Sequence, residues 1–156
     1  MEIPRRFVLP APNQIGIAVE NLTSSIARYE ERYGLKPNLI ETIELDERWG
    51  YRYRGDASAC RLKVALFEQG TIQLELIELL EGQHPVGDFL RERGEGINHL
   101  GFFVEDLPAT LKQFGESAAQ PVIEGRFALT DGRAGAFVWL KDDDDGGVMF
   151  EISAFK

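Results

Sequence analysis

NQIGIAVENL (13–22) and NHLGFFVEDL (98–107) are one ten-residue phrase written twice. Asn, Gly, Val, Glu and Leu are kept at five of the ten positions, and Gln/His, Ile/Leu and Asn/Asp are close replacements. The likeness runs on, because Leu22, Ile26 and Tyr29 recur 85 residues later as Leu107, Leu111 and Phe114. A spacing of i, i+4, i+7 puts them on one side of an amphipathic helix. Asn21 and Asp106 stand where N-caps belong, and Pro108 is tolerated in a first turn. Identity and helical phase agree, so the repeat marks two copies of one supersecondary unit.

Working outward, the first copy reads as a strand (14–19), a helix (22–33) that Gly34 can end, and strand-like runs near 37–45, 60–67 and 72–79. The second reads as a strand (98–104), a helix (107–117) and strands near 121–128, 134–140 and 147–153. Each is βαβββ. Between them, HPVGDFLRERGEG reads as a short helix ended by glycines. Residues 46–58, with Trp49, Tyr51 and Tyr53 among charges, read as either a mobile flap or a further strand pair. The expected fold class is α+β: one domain over 1–156, made of module 13–79, connector 80–97 and module 98–155.

Composition narrows the function classes. Hydrophobic residues make up 44% and charged residues 28%, which suits a soluble globular chain. A formal charge of −9 disfavours nucleic acid, whose phosphates need a basic footprint. No apolar run is long enough for a membrane span or a secretory signal. A single cysteine, Cys60, forms no internal disulfide, and the expected compartment is the cytoplasm. Cys60 itself reads as a packed strand residue.

Side chains alternate along a strand, so Gln14 and Gly16 share one face while Ile15 and Ile17 share the other. The repeat copies this with His99 and Gly101 against Leu100 and Phe102. The apolar faces should pack on the helices. Gln14 and His99 then point into the opposite, concave side, where the small residues beside them leave room for a ligand. In the last strand of each module a carboxylate stands between large apolar residues, Glu75 in LEL and Glu151 in FEI. A buried carboxylate must be paired, hydrogen-bonded or metal-bound. Two carboxylates, one imidazole and one amide oxygen make a mixed N/O set for one divalent ion such as Zn, Mn, Co, Ni or Fe.

Other features carry plainer readings. His84, beside Pro85 in the connector, reads as a surface residue, and Glu78 as solvent-facing. KDDDDGG (141–147) lacks the spacing and the glutamate of an EF-hand loop and reads as a solvated hairpin turn. Arg126, Arg133 and Lys141 are either plain surface charges or holders of an anionic substrate tail.

QIGIAVENL, LELIE, GEGINHLGFFVEDL and GVMFEIS, in that order and spacing, resemble the vicinal-oxygen-chelate superfamily (glyoxalase, bleomycin resistance and dioxygenase proteins) over residues 13–155. The branches most resembled are methylmalonyl-CoA epimerase and glyoxalase I. The resemblance implies paired βαβββ modules forming a cupped mixed sheet with helices outside, ligands at Gln14, Glu75, His99 and Glu151, and a homodimer. It also implies a base role for Glu151. Epimerases usually begin the motif with histidine, whereas zinc glyoxalases of the eukaryotic type have glutamine there, as at Gln14. A second catalytic glutamate of some epimerases falls, aligned without gaps, at Lys63.

The function expected from the resemblance is a metal-dependent isomerase or epimerase, deprotonating a carbon next to a carbonyl of a small molecule such as an acyl-CoA. The alternatives are a glyoxalase I-like lactoylglutathione lyase acting on a thiol adduct, and a non-catalytic small-molecule binder of the same fold. Light scattering should show a dimer, and a monomer at working concentrations would contradict the implied assembly.

Overall fold

A computed structural model describes residues 8–115, 120–141 and 147–156. In chain order it has β1 (Gln14–Ala18), α1 (Leu22–Tyr33), β2 (Leu39–Leu45), a single 3-10 turn (Glu47–Trp49), β3 (Arg52–Tyr53), β4 (Asp56–Ala57), β5 (Cys60–Gln69), β6 (Ile72–Gly82) and α2 (Pro85–Arg93). Then follow β7 (Gly96–Phe103), α3 (Leu107–Phe114), β8 (Ile123–Ala128), β9 (Ala134–Leu140) and β10 (Met149–Phe155). The acidic turn expected at 141–147 and the end of the helix expected at 107–117 fall on residues outside the described ones.

The strands form one curled mixed sheet in the order β2-β5-β6-β1-β7-β10-β9-β8-β3-β4. Its symmetry is that of the sequence repeat. β1 runs parallel to β6, with Gly16 beside Glu75, and β7 runs parallel to β10, with Gly101 beside Glu151. The two modules join where β1 and β7 pair antiparallel.

Both helices begin as their caps dictate. The Asn21 side chain accepts the Ser24 N–H at 2.9 Å, and Asp106 accepts that of Ala109 at 3.0 Å, each satisfying a first-turn donor. α1 ends at Gly34, whose φ of 68° suits a residue without Cβ. Leu22, Ile26 and Tyr29 of α1 pack on Ala65, Phe67 and Leu76. Leu107, Leu111 and Phe114 of α3 pack on Phe102, Val138 and Ile152. The apolar strand faces therefore meet the helices, as alternation required. A third cluster, with Leu62, Val64, Ile77, Ile123, Phe137 and Trp139, lies inside the curl and takes Val86 of α2.

Residues 46–58 are resolved as a strand pair. β3 leaves its own module and pairs with β8 of the other, while Glu41 of β2 accepts the Thr130 N–H in the turn that follows β8. Tyr51 is buried beneath this crossing, its hydroxyl donating to the Gln83 carbonyl at 2.7 Å. β6 runs on to Gly82, past the expected end at 79, because Cys60 of β5 keeps a partner there. Among the described residues no helix is long and apolar enough to cross a membrane.

The two caps are equivalent, so Asn21→Ala and Asp106→Ala should each cost about 1 kcal/mol. Urea unfolding measures this, and losses below a few tenths would contradict the capping role.

Candidate metal centre

The β1–β7 register decides how four polar side chains can meet. Gln14 lies opposite Gly101, and Gly16 opposite His99. A Cβ on Gly16 would stand 1.9 Å from the His99 ring, and one on Gly101 would stand 2.8 Å from Gln14 Cβ. The small residues thus leave room for each other's polar partner across the seam, rather than for a ligand alone. The parallel neighbours then bring Glu75 alongside Gly16 and Glu151 alongside Gly101.

The four converge on one atom. His99 Nε2 lies 2.9 Å from Gln14 Oε1, 3.2 Å from Glu151 Oε2 and 3.6 Å from Glu75 Oε1. Its other nitrogen, Nδ1, lies 3.1 Å from Asn98 Oδ1. His99 is fully buried, and the side chains of Glu75 and Glu151 are 14% and 17% exposed. Both ring nitrogens face oxygen acceptors. With the Nδ1 proton given to Asn98, the Nε2 lone pair points at three oxygens and calls for a cation between them, either a proton or a metal ion. Donors sharing one ion at about 2.0–2.2 Å stand roughly 2.9–3.6 Å apart. The observed separations and the donor chemistry fit a divalent ion of the zinc–manganese kind. The side chains close directly on Nε2, and among the described residues no three His, Cys, Asp or Glu groups enclose a ready-made ion position. An ion would enter by spreading them.

Neighbouring groups orient the set. Gln14 Nε2 donates to Gln73 Oε1 at 2.6 Å, which aims the amide oxygen at His99. Gln73 in turn donates to Glu68 at 2.9 Å. The Ser153 hydroxyl donates to Glu151 Oε1 at 3.0 Å. Burial pushes the carboxyl of Glu75 up to about 7; His99 opposes this and Glu151 reinforces it. Asn98 reaches His99 because the β1–β7 register slips between Gly16 and Ile17, leaving Asn98 as the extra residue of a bulge.

With the fully buried His99 behind them, Gln14, Glu75 and Glu151 line the floor of an open cleft of about 90 Å³. Its walls are mostly apolar, with Ile43, Leu45, Leu62, Val64, Phe127 and Phe137 among them. Two sequence readings change here. His84, expected at the surface, is 3% exposed and lines the cleft, because it caps α2 where that helix packs into the curl. Glu78 is half-buried, its carboxylate accepting the Leu22 N–H at the start of α1 at 3.3 Å. Of the three cations weighed for a substrate tail, only Arg133 lines the cleft, already paired with Asp131 at 2.7 Å and Glu68 at 3.5 Å. Arg126 instead donates to the Arg48 carbonyl, and Lys141 lies at a separate, more polar groove.

Leu62 and Val64 face the cleft, so Lys63 between them is turned to the other side of the sheet. Cys60 is buried, as read. Asn98, Gln73, Ser153 and Trp139 escaped the sequence reading; the asparagine beside His99 was the one visible signal.

Comparison with known proteins agrees with this architecture. The model of the glyoxalase/bleomycin resistance protein/dioxygenase superfamily matches residues 13–137. The chain is 27% identical over 140 residues to the uncharacterised protein YqjC of Bacillus subtilis, covering 90% of this chain and 89% of that one. A hypothetical protein of Bacillus halodurans superposes with a TM-score of 0.62 at 25% identity, covering 94% of each chain. A methylmalonyl-CoA epimerase variant of Streptomyces coelicolor, in complex with 2-nitronate-propionyl-CoA, superposes with a TM-score of 0.62 at 22% identity. That match covers 94% of this chain and 95% of the other, and it is a likeness of fold.

Gly16→Ala should destabilise the protein by about 1–3 kcal/mol or more, since the new methyl meets the imidazole. In urea unfolding, adding His99→Ala to Gly16→Ala should recover part of the loss. Strict additivity would show that the collision is elsewhere.

Proposed function

We propose that this chain, which belongs to the glyoxalase/bleomycin resistance protein/dioxygenase superfamily, is a metal-dependent isomerase or epimerase acting on a carbon next to a carbonyl. The observation that carries the reading is the convergence of Gln14, Glu75 and Glu151 on His99 Nε2 at the floor of an apolar cleft. These four residues would hold one divalent ion. When bound, the ion supplies Lewis-acid stabilisation of negative charge developing on a carbonyl oxygen. Glu151 is the base in this reading. Its Oε2 lies on the His99 side, where the ion would be held, so Oε1, beside the Ser153 hydroxyl, is the oxygen that takes a proton from carbon and returns it. The apolar walls exclude water and strengthen each electrostatic contact at the floor.

The substrate is a small carbonyl compound whose acyl part fills the cleft, with acyl-CoA thioesters the first class to test. Residues 1–156 act in this reading as one cytoplasmic domain within a homodimer. Gln14 cannot titrate and Lys63 faces away, which leaves the proton to the two carboxylates.

Metal analysis of the untagged protein should find a divalent ion, and His99→Ala should lose most of it. Metal content unchanged in that variant would end the metal reading. Glu151→Gln keeps the shape and an oxygen ligand. It should retain appreciable metal while slowing exchange of the methylmalonyl-CoA α-proton with deuterated water by about 100-fold or more, followed by NMR. Wild-type exchange in that variant would remove Glu151 as the base.

A further inference from the structure

His84 is a buried imidazole in the cleft wall that the chemistry above leaves unused. Its place is set from several sides. It is the N-cap of α2, where its Nδ1 accepts the Val86 N–H at 3.1 Å. The preceding Gln83 is anchored through its carbonyl by the Tyr51 hydroxyl at 2.7 Å and through its side chain by the Ser58 hydroxyl at 2.9 Å. The ring meets Trp139 edge-on at 4.9 Å, and the same indole touches His99 at 4.3 Å.

Capping decides the tautomer. A nitrogen that accepts a backbone N–H carries no proton, so in the neutral ring the proton sits on Nε2. Burial, and after it the nearby His99, push the His84 pKa down to about 3, which keeps the ring neutral. Among the described residues nothing accepts from Nε2. The only sealed side-chain polar atom without a partner among them is Asn98 Nδ2, so His84 Nε2 is open to the cleft.

We infer that His84 is a substrate-binding residue whose Nε2–H donates a hydrogen bond to a carbonyl oxygen of the bound molecule, beyond the oxygen that lies nearest His99. A neutral donor in a mostly apolar wall suits a neutral acceptor, since the cation of the lining, Arg133, is already paired with Asp131 and Glu68. The fitting class is therefore a compound with two carbonyl-type oxygens a few bonds apart, one at the floor and one at the His84 wall. A donor held in place by a helix cap needs no reorganisation to meet charge growing on that oxygen. This role rests on the carbon-acid reading for its chemistry, while the donor itself is detectable without any metal.

The test is NMR on the full chain with ¹⁵N-labelled histidine, titrated with N,N-dimethylacetamide, a carbonyl acceptor with no donor of its own. His84 should show a pyrrole-type Nε2 and a pyridine-type Nδ1 in the free protein, and its Nε2–H signals should shift saturably with the probe. His84→Asn retains a capping oxygen, so the melting temperature should hold, while probe affinity falls about threefold to tenfold. A protonated Nδ1, the absence of a saturable shift, or wild-type affinity in His84→Asn would each overturn the inference. Any of these with metal content intact leaves the metal reading standing, and loss of the metal reading does not alter these signals.

Discussion

The antiparallel seam between β1 and β7 is the contact on which the rest of the centre depends. Side chains directly opposite across such a seam have Cβ atoms only about 4.5–5.5 Å apart. Two bulky polar groups cannot both lean over one point at that spacing unless one of each pair is missing. Gly16 and Gly101 are those missing side chains, and they are the same position of the repeat. Each module supplies one polar residue and the gap for the other's. The parallel pairings then deliver Glu75 and Glu151 from the neighbouring strands with no further adjustment.

Burying four such groups is unfavourable unless each is oriented and satisfied. Gln73 holds the Gln14 amide, Ser153 holds one oxygen of Glu151, and Asn98 holds the far nitrogen of His99. The result is a set of oxygens gathered round His99 Nε2, which either a ring proton or a bound cation satisfies. The raised carboxyl of Glu75 expresses the same constraint: burial disfavours its charge, and the neighbouring Glu151 adds to that.

Above the floor, selection passes to the walls. The first module's β3 crosses to the second module's β8, and Tyr51 locks beneath that crossing onto Gln83. This contact draws the connector inward, so α2 packs into the curl and its capping histidine enters the cleft. Trp139 touches both His84 and His99, tying the wall to the floor. The crossing thus shapes what the cleft admits, although it contributes no ligand to the centre.

Much of this was readable from local pattern. The repeat at 13–22 and 98–107 announced two like modules, Asn21 and Asp106 announced the helix starts, and strand alternation placed Gln14, Glu75, His99 and Glu151 on one face. Those features depend on a residue and its near neighbours, which a sequence states directly. Asn98 shows the limit: strict alternation turns it away from His99, and only a bulge against β1 brings it back. His84 shows another, because a polar residue at the head of a short connector helix is exposed or buried according to where that helix docks. The pairing of β3 with β8 is of the same kind. Which strands become neighbours, where a register slips and which loop is pressed inward are settled by contacts between residues far apart in the chain. The sequence by itself therefore determined the modules and the face that carries the four polar side chains. Only the tertiary structure decided that they meet at His99 Nε2 and what surrounds them, because that meeting is a property of the seam and not of either strand alone.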